Sequence, residues 1–220
     1  MTNLNGLTIL VLLLLLFSCH TAEKCPDDVN LLPMYGEQAR CEEQLNIDKK
    51  FIAECDTEFK NRKEAAQYYV GKGWENFHQA DYKTSMKRFN QAWLLDSLNA
   101  DIYWGFGNLL GIQRKFQASQ PFLEKSILLN PVNPKVYESI ASNYGQLFFE
   151  TKDIELLNKT IDNLKTSIRL DPERASALGQ LTNAYSYFTQ KDSARKYLAL
   201  TDKLDPKAVN PDVRKMLTAN

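Results

Sequence analysis

The chain has 220 residues, and its 27 Lys and Arg balance 27 Asp and Glu for a net charge of zero. That length fits one domain or one repeat array, and 44% hydrophobic residues with 11% aromatics suffice for a sizeable core. The balanced charge excludes nucleic acid as the main partner, because phosphate binding needs a surplus of Lys and Arg on one face.

The first element is apolar. Leu7 to Phe17 carries no charge. It is shorter than the roughly 20 residues needed to cross a bilayer, and it suits the apolar region of a secretory signal peptide over residues 1–18. It ends in Leu16-Phe17-Ser18-Cys19, which resembles the lipobox of bacterial lipoproteins. There a cysteine after a small residue is acylated, palmitate included, and becomes the new N-terminus. The resemblance implies that Cys19 carries the lipid. At ~0.8 kcal/mol per buried methylene, more than one acyl chain holds a protein firmly to a membrane. His20 stands where such lipoproteins carry Asp for inner-membrane retention, so the same resemblance points to the outer membrane, periplasmic face. An ordinary cleaved signal and an uncleaved anchor are the alternatives for this stretch.

Residues 19–41 are polar, and Pro26, Pro33 and Gly36 break any periodicity, so a flexible tether is expected there. Cys25, Cys41 and Cys55 follow the lipid site. An oxidising compartment allows a disulfide, and three cysteines permit at most one pair within the chain. Buried or idle thiols are the alternative. Over 42–61 a helix is expected, because Leu45, Ile52, Cys55 and Phe59 fall on one helical face. It would cap the first repeat.

From residue 62 the chain repeats. Leu95-Asp96-Ser97, Leu129-Asn130-Pro131, Leu170-Asp171-Pro172 and Leu204-Asp205-Pro206 recur at spacings of 34, 41 and 34 residues. Proline stops a helix, since it lacks an N–H and disfavours helical angles in the residue before it. A break at a near-constant interval in the thirties marks a stacked array of helix–turn–helix units. The units expected are 62–97, 98–131, 132–172 and 173–206, with helices near 62–79, 82–95, 99–114, 116–129, 175–189 and 192–204. The third unit is seven residues longer, with the extra length between Tyr144 and Leu164. Its second helix starts after the N-cap Asp153, with Ile154, Leu157, Ile161, Leu164 and Ile168 on one face. Asn133-Pro134 and Asn210-Pro211 are cap and first-turn pairs, the latter opening a C-terminal helix within 209–220 that covers the apolar end of the array.

These units resemble tetratricopeptide repeats. Small residues at helix contacts and large ones between them recur in phase. They are Tyr69, Gly73, Tyr82, Ser85, Phe89 and Ala92, then Tyr103, Gly107, Phe116, Ser119, Leu123 and Ser126. The third unit has Tyr137, Ala141, Tyr144, Leu164 and Ser167, and the fourth has Leu178, Tyr185, Ala194 and Leu198. Asn76, Leu110 and Thr182 depart from the pattern. The resemblance implies an all-α solenoid of about four repeats over 62–208, flanked by capping helices.

Catalytic signatures are missing. There is no G-x-S-x-G, H-E-x-x-H or Walker loop, and two histidines leave no triad or His-rich metal site. Gly105-x-Gly107-x-x-x-Gly111 follows no strand and lies in a helical pattern, where it reads as close helix packing. No enzyme activity, cofactor or metal is expected.

The resemblance also implies which residues face the concave groove. They are Gln67, Val70, Trp74, Phe77 and His78, then Asp101, Trp104, Asn108 and Ile112, then Lys135, Glu138, Ser142 and Gln146, then Asn183, Ser186 and Tyr187. Trp74, Phe77 and Trp104 make an aromatic patch suited to anchoring a partner, unless the helix at 42–60 folds over them. Asn108 and Asn183 can hydrogen-bond an extended peptide backbone, or simply face water. Val70 stands where a clamp for a terminal carboxylate would need Lys. The function expected is a protein-binding scaffold in the bacterial cell envelope, holding a partner protein or peptide in the groove. A structural subunit or assembly factor of an outer-membrane complex, using the convex surface, is the alternative.

Overall fold

A computed structural model describes Cys25, residues 28–187 and residues 190–219. Cys19 and the apolar leader lie outside the described residues. Among these residues there are ten α-helices and no strand. They are α1 (Glu42–Glu58), α2 (Arg62–His78), α3 (Tyr82–Leu95), α4 (Ala100–Ile112), α5 (Phe116–Leu129), α6 (Pro134–Thr151), α7 (Ile154–Leu170), α8 (Ala175–Tyr187), α9 (Lys191–Leu204) and α10 (Pro211–Thr218). The fold class is therefore all-α, with α2/α3, α4/α5, α6/α7 and α8/α9 packed as four successive hairpins. None of the described helices is long and apolar enough to cross a membrane.

Caps set the helix starts. The side chains of Asn61, Asp81, Asn99, Asn133, Asp153 and Asn210 each accept a hydrogen bond from a first-turn backbone N–H. The turn inside a hairpin is also repeated. Ala80, Arg114 and Lys152 all take the left-handed conformation, with φ of 59°, 59° and 60°. That single left-handed residue ends the first helix and reverses the chain.

Within each hairpin the two helices touch through small residues. Phe89 lies across both Gly73 and Gly105, where an added Cβ would collide with its ring. Leu123 occupies the space beside Gly107 in the same way. A buried hydroxyl then ties the second helix to the first in the first three hairpins. Ser85 Oγ donates to the Gly73 carbonyl at 2.9 Å, Ser119 Oγ to the Gly107 carbonyl at 2.7 Å, and Thr160 Oγ1 to the Ala141 carbonyl at 3.4 Å. The separation is 12 residues in the first two cases and 19 in the third. The seven extra residues of the third unit thus fall between two matched contacts. They enter as longer helices: α6 has 18 residues against 13 in α4, α7 has 17 against 14 in α5, and the turn between them is one residue shorter.

The ends are covered differently from one another. α1 and the Phe59 that ends it lay Phe51, Ile52, Cys55 and Phe59 on Ala65, Ala66, Tyr69 and Leu95, at the outer end of the first hairpin. α10 buries Leu217, its carbonyl accepts from Arg195 Nε at 3.1 Å, and Arg214 pairs with Asp202 at 2.6 Å.

Residues 28–41 are not a free tether. Val29 and Tyr35 are buried, and Asn90 Nδ2 on α3 donates to the carbonyls of Asn30 (3.1 Å) and Leu32 (2.9 Å). Tyr35 meets the Trp93 ring at 6.5 Å on one side, and the Arg40 guanidinium lies 3.8 Å from its centre. A Cys25–Cys41 disulfide closes the strap, and Cys55 is a buried free thiol. Met34, Tyr35, Gly36 and Glu37 all have positive φ, which only Gly36 accepts freely. Prolines and a glycine break helical period here without preventing burial, because the apolar side chains dock on α3 instead.

Candidate functional site

The first helices of the hairpins line one side of the array. Side chains from α4, α6 and α8 surround an open hollow of about 560 Å³, with Trp104, Asn108, Lys135, Ser139, Ser142 and Gln180 on its wall. Trp104 is half-buried. Its ring lies 4.1 Å from that of Trp74, its Nε1 donates to Ser139 Oγ at 2.9 Å, and the Lys135 ammonium sits 5.7 Å from the ring centre. Trp74 in turn meets Phe77 and Phe89 edge-on, each at 5.3 Å. The structure therefore brings Trp74, Phe77 and Trp104 into one half-buried aromatic run. α1 does not fold over it, since its apolar face packs on the outer end of the first hairpin.

The expected amides part company. Asn108 Nδ2 donates to the Trp104 carbonyl at 2.7 Å, and its Oδ1 accepts from Ser139 at 3.2 Å, so it fixes the groove wall. Asn183 lies one hollow further along, and its Oδ1 is buried with no hydrogen-bond partner among the described residues. Val70 is a correction. It is 2% exposed and packs with Met86, Phe89 and Ile102, so it presents no surface to a partner.

Glu138 was also expected to face a ligand, yet it is only 8% exposed. It pairs with Arg174 and accepts hydrogen bonds from Ser176 Oγ (2.7 Å), Ser167 Oγ (3.4 Å) and Gln180 Nε2 (3.4 Å). One carboxylate thus links α6 to α7, α8 and the turn between them. Nearby, burial raises the Asp101 carboxyl above its usual pKa, and Lys135 opposes that rise. Asn143 is a further buried contact: its Nδ2 donates to Ser119 Oγ at 2.8 Å, joining the hydroxyl that ties α5 to α4.

Solved structures share this fold. TTC0263, a thermophilic TPR protein of Thermus thermophilus, superposes with a TM-score of 0.58 at 17% identity, covering 69% of this chain and 79% of that one. MamA gives 0.55 at 18% identity, with 73% and 87% covered. The first TPR of RPAP3, solved with the HSP90 peptide SRMEEVD, gives 0.50 at 16%, with 58% and 95% covered. The fold is that of tetratricopeptide-repeat proteins. No protein-family model matches the sequence, and no curated protein is significantly similar to it.

In the tetratricopeptide frame Val70, Trp104, Glu138 and Gly179 hold equivalent positions, each directly after the large residue that opens its unit's pattern. A carboxylate where the preceding units carry Val and Trp was the available signal that Glu138 makes an internal bridge. Arg174, Ser139 and Asn143 lie outside the positions that the repeat pattern specifies, and only the folded chain brings them to the groove. Gly179 has its own constraint, because a Cβ there would run into the Ala208 carbonyl that follows α9.

Proposed function

We propose that this chain is a protein-interaction scaffold of the bacterial cell envelope that holds an extended segment of a partner protein in its concave groove. The observation that carries the reading is the open hollow beside Trp104, continuous with the aromatic run and left uncovered by α1. Half-buried tryptophans offer large rigid area at little entropic cost, which is why such residues dominate interface energetics. The RPAP3 repeat, with the same fold, was solved holding a peptide.

Export and acylation at Cys19 complete the proposal, with the array held to the outer membrane and facing the periplasm. The Cys25–Cys41 disulfide supports an oxidising compartment. No nucleic acid, cofactor or catalytic step enters this reading. Replacing Trp104 by Ala should weaken partner cross-linking at least tenfold, by analogy with interface hot spots worth ~2 kcal/mol or more, with far-UV circular dichroism unchanged. Undiminished cross-linking would remove the groove from the proposal. Incorporation of a clickable fatty acid, lost in Cys19→Ala, tests the anchor.

A second reading rests on a different surface. An apolar hollow of about 830 Å³ lies between the N-terminal strap and α5, with Met34, Trp93, Leu98, Pro121 and Phe122 among its walls. It favours a subunit or assembly factor of an outer-membrane complex that docks through the convex side. Phe122→Ser should then abolish partner cross-linking while Trp104→Ala leaves it intact.

A further inference from the structure

The longer third hairpin changes the groove itself. α6 continues five residues beyond the length of α4, and the added turn carries Phe148 and Phe149. Phe149 is 43% exposed and Tyr187 of α8 is 51% exposed, and their rings meet across the groove edge at 5.1 Å. Beneath them lies a hollow of about 350 Å³ floored by Ala141, Gly145, Leu157 and Ala184. Its wall shares Ser142, Gln146 and Gln180 with the larger hollow, so the two are neighbours along one groove.

We infer that this hollow is a socket for one large uncharged side chain of the extended partner, whose adjoining backbone N–H donates to Asn183 Oδ1 once that amide turns toward the hollow. The inference rests on the groove reading above and specifies what the groove selects. Two observations define the occupant. Among the described residues no Asp, Glu, Lys or Arg lines the hollow, whereas Arg114, Lys135, Glu138 and Arg174 line its neighbour. A charged side chain entering the socket would lose its hydration, and the Lys152 ammonium stands outside the lining against the Phe148 and Phe149 rings, 5.9 and 5.6 Å from their centres, so the socket selects against charge. The buried Asn183 Oδ1 has no donor among the described residues. Buried amide oxygens are nearly always hydrogen-bonded, and an extended backbone beside an apolar side chain supplies the missing N–H.

Gly145 supplies a blocking variant. A Cβ added there meets only Thr160, at 3.8 Å, so the helix tolerates a side chain that projects into the hollow. The experiment titrates N-acetyl-leucine methylamide, and the glycine and glutamate equivalents, into the full chain by ligand-detected NMR. The leucine compound should bind saturably with a dissociation constant on the order of millimolar, as suits so small a ligand. The glycine and glutamate compounds should bind at least tenfold more weakly. Gly145→Leu, Phe149→Ala and Asn183→Ala should each weaken the leucine compound tenfold or more, with the thermal melt of Gly145→Leu undiminished. Equal affinity for the three compounds, no saturable leucine binding, or full binding to Gly145→Leu overturns the socket. Partner cross-linking with Trp104→Ala reports on the groove separately, so loss of the socket and loss of the groove are distinct results.

Discussion

Gly71 and Gly73 lie two residues apart in α2, and replacing each by Ala should shift stability in opposite directions. In a helix interior Ala is worth about 0.5–1 kcal/mol more than Gly, because glycine loses more backbone freedom on folding. At Gly71 a Cβ meets nothing within 4 Å, so Gly71→Ala should realise that gain. At Gly73 the Cβ would stand 2.7, 2.8 and 2.9 Å from three Phe89 ring atoms. Phe89 has no exposed surface and is held between Trp74 and Phe106, with centroids 5.3 and 6.2 Å away. Its ring therefore cannot swing aside, and overpacking of this kind costs about 1–3 kcal/mol. The propensity gain is common to both variants, so the difference between them isolates the repacking cost. Gly73→Ala should be destabilised by up to about 2.5 kcal/mol relative to the parent, and should lie about 1–3 kcal/mol below Gly71→Ala. Urea unfolding followed by far-UV circular dichroism measures both. Phe89→Leu should lessen the penalty of Gly73→Ala, a coupling that a double-mutant cycle reads directly. Equal stabilisation by both alanines would mean that Phe89 is not wedged between α2 and α4, and the close packing of the first two hairpins would be refuted.

Glu138→Ala leaves the half-buried Arg174 with only Asp171, 3.8 Å away, as a counter-charge and should cost about 1–3 kcal/mol, whereas a joint Glu138→Met/Arg174→Met change should cost less. Thermal unfolding of the three proteins checks this, and a small effect of Glu138→Ala would remove the bridge between the third and fourth units. Burial raises the Tyr35 phenol well above its usual 10, with the Asp48 charge adding to the rise. Its contribution to the strap is therefore present below about pH 10 and is lost as pH rises beyond it. Hydrogen exchange over residues 28–37 should accelerate in alkali before that of α4–α9, and Tyr35→Phe should remove this pH dependence. Exchange that stays slow in the strap until the whole array unfolds would contradict the assignment.

The sequence exposed the array through features that act locally. Proline breaks, Asn and Asp caps and small residues at fixed intervals all work within one hairpin, so α3 and α5 coincide with the ranges expected, and α2 ends within a residue. The 12-residue Ser85–Gly73 and Ser119–Gly107 contacts, with the 19-residue Thr160–Ala141 contact, even locate the seven-residue extension. Long-range contacts were not legible. The strap is fixed by Asn90, 58 and 60 residues from the carbonyls it binds, and no periodicity reports such a link. Val70 failed as a groove residue because repeat position says nothing about which neighbouring helix covers it. Trp74 and Trp104, by contrast, were legible as neighbours, because the repeat frame sets both on the groove side of adjacent units, and their rings lie 4.1 Å apart. The socket depends on where the extra turn of α6 meets α8, which length alone does not reveal.

Site-specific photo-cross-linking in cells that express the full chain tests the central claim most directly. A benzophenone amino acid at Ser142, between the two hollows of the groove, is compared with one at the exposed Leu128 of α5. A discrete cross-linked partner from position 142, diminished by Trp104→Ala and absent from position 128, is the expected result. A partner captured from position 128 and not from 142 would contradict the account and place recognition on the opposite side of the array.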